Sequence, residues 1–388
     1  MNCKISGAKS QYRRLGDHIR LVDERNKGLK VQNLLGLSIS KQFIPSVANI
    51  IGTDMENYKI IRKSQFACST MQVRRDKKMP VALLQNIDEA IISQAYPIFE
   101  VKDTQELLPE YLMMWFERSE FDREACFHAV GGVRGSLEWE DFEDLKLPIP
   151  HPDKQREIVQ EYNTIQNRIN LNQQLIEKLE ETAQAIYREW FVEGIDVENL
   201  PEGWRVGKVA DLCEYSSKRI PINELSLDSY ISTENMLQNR AGVIEANNLP
   251  IIGSVTKFEI GNILISNIRP YFKKIWLASF NGGCSNDVLC FSPNENIPPL
   301  YLYQILEKDN FFDYVMAGSK GTKMPRGDKQ WIMNYDTVIP SNALLEKFSR
   351  TTQTFQKDIQ IKKQENQKLT ELKDLLLSRL AAIENFKN

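Results

Sequence analysis

The sequence has no apolar run approaching the roughly 18 residues of a membrane-spanning helix, and its first stretch, Met1 to Arg14, is polar and without the apolar centre of a secretory signal. Cysteine is scarce. Cys3, Cys68, Cys126, Cys213, Cys284 and Cys290 form no CxxC pair, so they read as reduced thiols of a cytoplasmic protein rather than as a disulfide framework or a zinc site. The histidines His18, His128 and His151 lie far apart and make no metal-ligand spacing. Neither sign of charge is in excess: 49 Lys and Arg against 52 Asp and Glu leave a net charge of −3, so any polyanion-binding surface must be local. There is no GxxxxGK[ST] phosphate loop, no Gly-x-Gly cofactor loop after a strand, no Asn-Pro-Pro-aromatic sequence, and no GxSxG or HExxH. These absences predict a chain that is no enzyme and holds no cofactor and no metal.

What is present begins with a gap in the helix breakers. Between Pro152 and Gly194 there is neither proline nor glycine, so nothing interrupts a helix. Ile158, Tyr162, Ile165, Ile169, Asn172, Ile176, Leu179, Ala183, Ile186 and Trp190 recur at alternating steps of four and three, the period at which helices pack knobs into holes. A helix of about 40 residues spans roughly 60 Å, too long for one small core to cover, so it demands a partner helix. The chain supplies one after Ser341 or Asn342, both good N-caps. Its seam is Phe348, Thr352, Phe355, Ile359, Lys362, Asn366, Leu369, Lys373, Leu376 and Leu380. Asn172, Lys362 and Asn366 are polar breaks that cost stability and fix register.

The chain also repeats itself. A shift of 190 places Pro109, Tyr111 and Leu112 on Pro299, Tyr301 and Leu302, Phe121 on Phe311, Gly131 on Gly321, and Ile149-Pro150 on Ile339-Pro340. The order is therefore globular region (1–151), long helix (152–194), globular region (195–341), long helix (342–388). A compact domain of about 145 residues has a radius of gyration near 15 Å. Parallel helices would force the second domain to carry the chain back some 60 Å, so the helices are expected to be antiparallel. The expected fold class is α+β: two mixed α/β domains alternating with two long antiparallel coiled-coil helices, as a tandem repeat with a pseudo-two-fold axis.

Short apolar runs predict strands at Leu37–Ile39, Lys59–Ile61, Val81–Leu84, Ala90–Ile92 and Pro97–Phe99, and Pro109 marks a helix start. The most basic window carries Lys59, Arg62, Lys63, Arg74, Arg75, Lys77 and Lys78 against Asp76 alone. It is either a solvated hairpin surface or a patch that contacts phosphates, with Arg available for guanine. In the second region Arg269, Lys273 and Lys274 stand beside Tyr271, Phe272 and Trp276, and Lys320, Lys323 and Arg326 lie in the loop Gly318 to Gly327. These residues, with Arg134, are the candidates for DNA contact. For Tyr271 and Trp276 a core role remains the alternative. The acidic run Glu138 to Asp144 would repel DNA and faces either solvent or a protein partner.

In this arrangement the chain resembles the specificity (S) subunit of type I restriction–modification systems. In that family a Leu-Pro-x-Pro-Pro-x-x-x-Gln sequence leads into each long helix. Leu147-Pro148-Ile149-Pro150-His151-Pro152-Asp153-Lys154-Gln155 is close to it, while the second copy, Val338-Ile339-Pro340-Ser341, keeps only Ile-Pro and has Leu345 in place of the Gln. The resemblance implies a non-catalytic reader of double-stranded DNA. Each recognition domain would read one half of a bipartite target, and the helices would set the gap. The helices would also dock two methyltransferase subunits, joined by motor-nuclease subunits that bring the ATP chemistry. The competing readings are a coiled-coil interaction scaffold without DNA, and the recognition part of another restriction or modification enzyme whose catalysis carries no known motif.

Overall fold

A computed structural model describes residues 12–46, 53–130 and 135–381. Contacts divide the chain into two units. One is built from the chain up to Leu171 and from Glu365 onward, the other from Asn172–Gln364. The fold is α+β.

In the first unit the strands are β1 (Tyr12–Arg14), β2 (Ile19–Val22), β3 (Leu35–Leu37), β4 (Phe43–Pro45), β5 (Lys59–Arg62), β6 (Phe66–Cys68), β7 (Val81–Leu83), β8 (Glu89–Ile92), β9 (Ile98–Val101) and β10 (Lys146–Pro148). The helices are α1 (Val73–Asp76), α2 (Pro109–Glu117), α3 (Ser119–His128) and α4 (Trp139–Asp144), followed by the long α5 (Pro152–Phe191). The second unit continues with β11 (Arg205–Lys208), α6 (Val209–Leu212), β12 (Cys213–Tyr215), β13 (Arg219–Pro221), β14 (Tyr230–Ile231), β15 (Ser254–Phe258), β16 (Ile263–Ser266), β17 (Ile275–Leu277), β18 (Gly282–Cys284) and β19 (Val288–Pro293). Then come α7 (Pro299–Leu306), α8 (Asp309–Ala317), α9 (Lys329–Met333), β20 (Asp336–Ile339) and the second long helix, α10 (Asn342–Arg379). The strand expected through Ile39 ends at Leu37, because Ser38 turns the chain, taking its N–H to the Gln42 carbonyl at 2.9 Å.

The two units share one plan. The central sheet of the first has the order β2-β9-β6-β7, and that of the second β12-β19-β16-β17, both antiparallel throughout. All of β6 and β16 is buried, as suits strands whose sequences are almost wholly apolar. The correspondence extends to single hydrogen bonds. The Tyr111 hydroxyl donates to the Pro148 carbonyl at 3.0 Å, and the Tyr301 hydroxyl to the Val338 carbonyl at 2.6 Å. The bridge between Val130 and Ser136 recurs between Lys320 and Arg326. In each case both partners move by 190 positions.

Each long helix gives one half to each unit. α5 starts with Pro152 at its first position and stops where Gly194 takes the left-handed conformation, φ 71°. In the first unit Ile158 and Tyr162 enter the core with Leu377 and Leu380, and Lys373 Nζ donates to Gln166 Oε1 at 3.0 Å. Arg168 meets Glu365 at 2.7 Å. In the second unit Tyr187 and Phe191 share the core with Leu345 and Phe348, and Lys363 lies 3.4 Å from Glu180. Rising positions in one helix meet falling positions in the other, so the halves run antiparallel inside each unit. Of the seam residues, Ile158, Tyr162, Ile165, Asn172, Ile176, Ala183, Phe348, Thr352 and Leu380 are buried. Ile169, Leu179, Ile186, Trp190, Phe355, Ile359, Lys362, Asn366, Leu369, Lys373 and Leu376 are half-buried.

Two polar groups inside these cores have consequences for stability. Gln155 is fully buried: its Oε1 accepts from the Leu108 N–H at 2.8 Å, and its Nε2 donates to the carbonyls of Glu106 at 2.7 Å and Pro150 at 2.8 Å. It latches the first turn of α5 to the segment before α2. Leu345, 190 positions on, fills the matching place with apolar volume and is also fully buried. In the second unit, burial pushes the Glu307 carboxyl up to about 7, with Glu180 acting the same way and Arg240, Lys308 and a hydrogen bond from Tyr303 opposing.

Two outcomes follow. Gln155→Leu strands backbone groups at a cost of about 1–3 kcal/mol for each one left buried, so denaturant titration should show the first unit weakened by at least about 2 kcal/mol; an unchanged midpoint would disprove the latch. Because the folded Glu307 pKa lies above its ordinary 4.5, its contribution is complete below that value and lost as pH rises through about 7. Between those limits the native chain should lose about 3 kcal/mol more stability than Glu307→Gln. Parallel stability curves for the two proteins would rule this out.

Candidate nucleic-acid interface

The basic window of the first unit falls on three different elements. Lys59, on β5, turns inward: its Nζ donates to the Tyr96 carbonyl at 3.1 Å, and burial holds its ammonium below the usual lysine range. Arg62 ends the same strand between Glu89 at 2.6 Å and Glu24 at 2.8 Å. Their charges are taken up within the unit. Lys63 is exposed in the following turn and makes no ion pair among the described residues. Arg74 and Arg75 are exposed on α1, with Arg75 paired to its neighbour Asp76 at 2.6 Å, and Lys77 and Lys78 follow, exposed and without ion pairs among the described residues. Arg134 and Gly131 lie outside the described residues.

In the second unit the cations gather around the turn between β16 and β17. Pro270–Phe272 form a short 3₁₀ helix with Arg269 and Lys273 on either side, both left-handed. Arg269 is half-buried and its Nε has no hydrogen-bond partner among the described residues. Lys273 Nζ lies 2.6 Å from Asp309, which also receives Arg240. These two cations hold the Asp309 carboxyl down at about 2. Arg240 was not singled out by any sequence pattern; it sits in a polar loop, and only its hydrogen bonds to the Glu307 carbonyl and to Asp309 show that it ties this turn to α8. Lys274 donates to the Thr233 carbonyl at 2.6 Å and covers the Phe272 ring. In the adjoining loop Lys320 pairs with Asp328 at 2.7 Å and Arg326 with Asp287 at 3.2 Å, while Lys323 is exposed and makes no ion pair among the described residues.

The aromatics of this region divide. Trp276 packs in the core with its ring 5.8 Å from Phe258 and 4.8 Å from Phe280. Tyr271 stands exposed on the turn. The acidic run resolves into structure: Phe142 and Trp139 of α4 face the core, and Glu143 and Asp144 grip Arg14 of β1, the latter at 2.6 Å.

Among the described residues no group of His, Cys, Asp and Glu is placed to hold a metal ion, and no helix is long and apolar enough to cross a membrane. The cysteines described, Cys68, Cys126, Cys213, Cys284 and Cys290, are free thiols.

Comparison with known proteins bears on the whole arrangement. Residues 68–181 match the model of the type I restriction modification DNA specificity domain. The specificity subunit of the type I restriction enzyme EcoDI from Escherichia coli is 26% identical over 199 residues, 48% of this chain and 42% of that protein. The specificity subunit of the HindI enzyme from Haemophilus influenzae is 23% identical over 150 residues, 38% of this chain and 32% of its own length. The match thus spans less than half of either relative. In fold, the chain is similar to the crystal structure of the type I restriction–modification S subunit from M. genitalium, with a TM-score of 0.58 and 14% identity over 95% of both chains. Residues 68–181 are thus similar to the type I restriction modification DNA specificity domain, and the fold of the chain is similar to that of an S subunit.

Proposed function

We propose that this chain is the non-catalytic DNA-reading subunit of a cytoplasmic type I restriction–modification complex. Residues 1–151 and 195–341 are its two target-recognition domains, and 152–194 and 342–388 are spacer helices paired as an antiparallel coiled coil about an approximate two-fold axis. Each domain reads one half of a bipartite target in double-stranded DNA. Two methyltransferase subunits, and motor-nuclease subunits for cleavage, dock on this frame. The methyl donor and ATP belong to them.

The observation that supports the reading is the recurrence of the same sheet order and, 190 positions apart, of the same backbone bridge, each beside a cluster of cations. Two copies of one reader on one chain suit a target in two parts. Lys63, Lys77, Lys78 and Lys323, exposed and without ion pairs among the described residues, offer charge that a phosphate backbone can neutralise.

Two measurements test it. Binding of the assembled complex to duplex DNA should weaken with salt, and replacing Lys63 or Lys78 by Gln should weaken it on all sequences while lowering the salt slope by about one per contact. An unchanged affinity and slope would leave these residues merely solvated. Four residues inserted into the middle of each long helix add about 6 Å, between one and two base-pair steps of about 3.4 Å. Methylome sequencing should then find both half-sequences intact and the gap lengthened; altered halves around an unaltered gap would refute the spacer role.

A further inference from the structure

We infer that base reading in each unit is done at the turn between two central strands and the neighbouring segment packed on it, through Met71, Arg74 and Phe127 in the first unit and Arg269, Tyr271 and Met324 in the second. The inference rests on the proposed DNA-reading function and narrows it, since it adds the exposed apolar residues Met71, Phe127 and Met324.

The two loops that carry these arginines hold the same station. One joins β6 to β7, the other β16 to β17, and those strands are equivalent in the two central sheets. Each loop is a single helical turn bracketed by left-handed residues other than glycine: Gln72 at φ 63° and Lys77 at 52° in the first unit, Arg269 at 53° and Lys273 at 49° in the second. Such a conformation is unfavourable for a residue with a Cβ and persists only where its surroundings enforce it. These four are among nine non-glycine residues of positive φ in the described chain, two on each turn.

A second loop enforces it, in the same way in both units. The Arg74 N–H donates to the Gly135 carbonyl at 3.3 Å and the Leu137 N–H to the Thr70 carbonyl at 2.9 Å. The Arg269 N–H donates to the Pro325 carbonyl at 2.8 Å and the Gly327 N–H to the Asn267 carbonyl at 3.3 Å. Gly135 and Pro325, and Leu137 and Gly327, are 190 apart. Arg74 and Arg269 thus make the same backbone contact with the second loop, although their own positions differ by 195, because the chain from the arginine to that loop is shorter in the second copy, 56 positions against 61. Each turn also packs on the helix before the second loop, α1 on α3 and the Pro270–Phe272 turn on α8.

The surface offered there combines cations with apolar groups in water. Phe127 of α3 is 80% exposed, and Met71, Tyr271 and Met324 are each exposed as well. Neither a core nor solubility explains a phenylalanine this exposed on the helix that packs against α1. Duplex DNA explains the combination, since a guanidinium reads guanine and an apolar side chain meets the thymine methyl. The second turn carries a further sign of an incomplete environment: Asn267 Oδ1 and Arg269 Nε are two of the three buried side-chain atoms without a hydrogen-bond partner among the described residues, an arrangement native interiors avoid.

The test is methylome sequencing of a host that carries the full chain with its methyltransferase subunits. Met71→Ala with Phe127→Ala should relax one or more positions in one half of the target, with discrimination falling about tenfold or more, and leave the other half and the gap unchanged. Arg269→Gln with Met324→Ala should relax the opposite half alone. Thermal melting of both variants should match the wild type, since the residues truncated to alanine are exposed. Unchanged motifs, relaxation of both halves by one variant, or lower methylation with no relaxed position would each overturn the assignment. A wild-type complex that methylates no bipartite target would instead bring down the function beneath it.

Discussion

Each of the two cores is closed by helix segments that are far apart in the chain. Ile158 and Tyr162 meet Leu377 and Leu380 in one, and Tyr187 and Phe191 meet Leu345 and Phe348 in the other. Everything else in the units depends on this closure. The central sheets are small, four short strands each, and strands of this length need apolar cover to be stable. The first unit cannot complete its cover until the end of the chain has been made. Contacts of such separation are entropically costly to form, and two segments that must find each other across the sequence make the whole chain a coupled structure.

The residues that begin the long helices show two solutions to one problem. Where α5 begins, Gln155 satisfies one N–H and two carbonyls of irregular backbone, so a polar side chain is tolerated at zero exposure. Where α10 begins, Leu345 does the same work of filling space without the hydrogen bonds. A buried amide is acceptable only when every one of its partners is present, which is why the two helix starts differ in residue and still serve the same helix geometry.

Charge in this molecule is mostly settled locally. Arg62 between Glu24 and Glu89, Arg14 between Glu143 and Asp144, and Lys320 against Asp328 are exposed pairs that add little stability. Their effect is to remove cations from the field seen at a distance. In a chain with net charge −3, exposed lysines left without ion pairs among the described residues include those at the turns after β5 and after α1 and in the loop before Arg326.

The sequence by itself determined the two long helices, the repeat and the seam, because proline and glycine placement and heptad spacing act over a few residues and leave a direct trace. Strands with clear apolar runs, such as Ile60-Ile61 and Val81 to Leu83, were legible for the same reason, while β1, β2 and β4, short and half-exposed, carry no such trace. Only the tertiary structure decided which cations of the basic windows are neutralised, that Tyr271 is on the surface and Trp276 in the core, and that Phe127, which sits like any helix residue in the sequence, stands in water. Those properties belong to pairs of residues brought together from distant parts of the chain. Lys59 finds Tyr96, Arg62 finds Glu24, and Arg269 finds Pro325, and no local pattern encodes such a meeting, because it exists only once the sheets and their loops have closed.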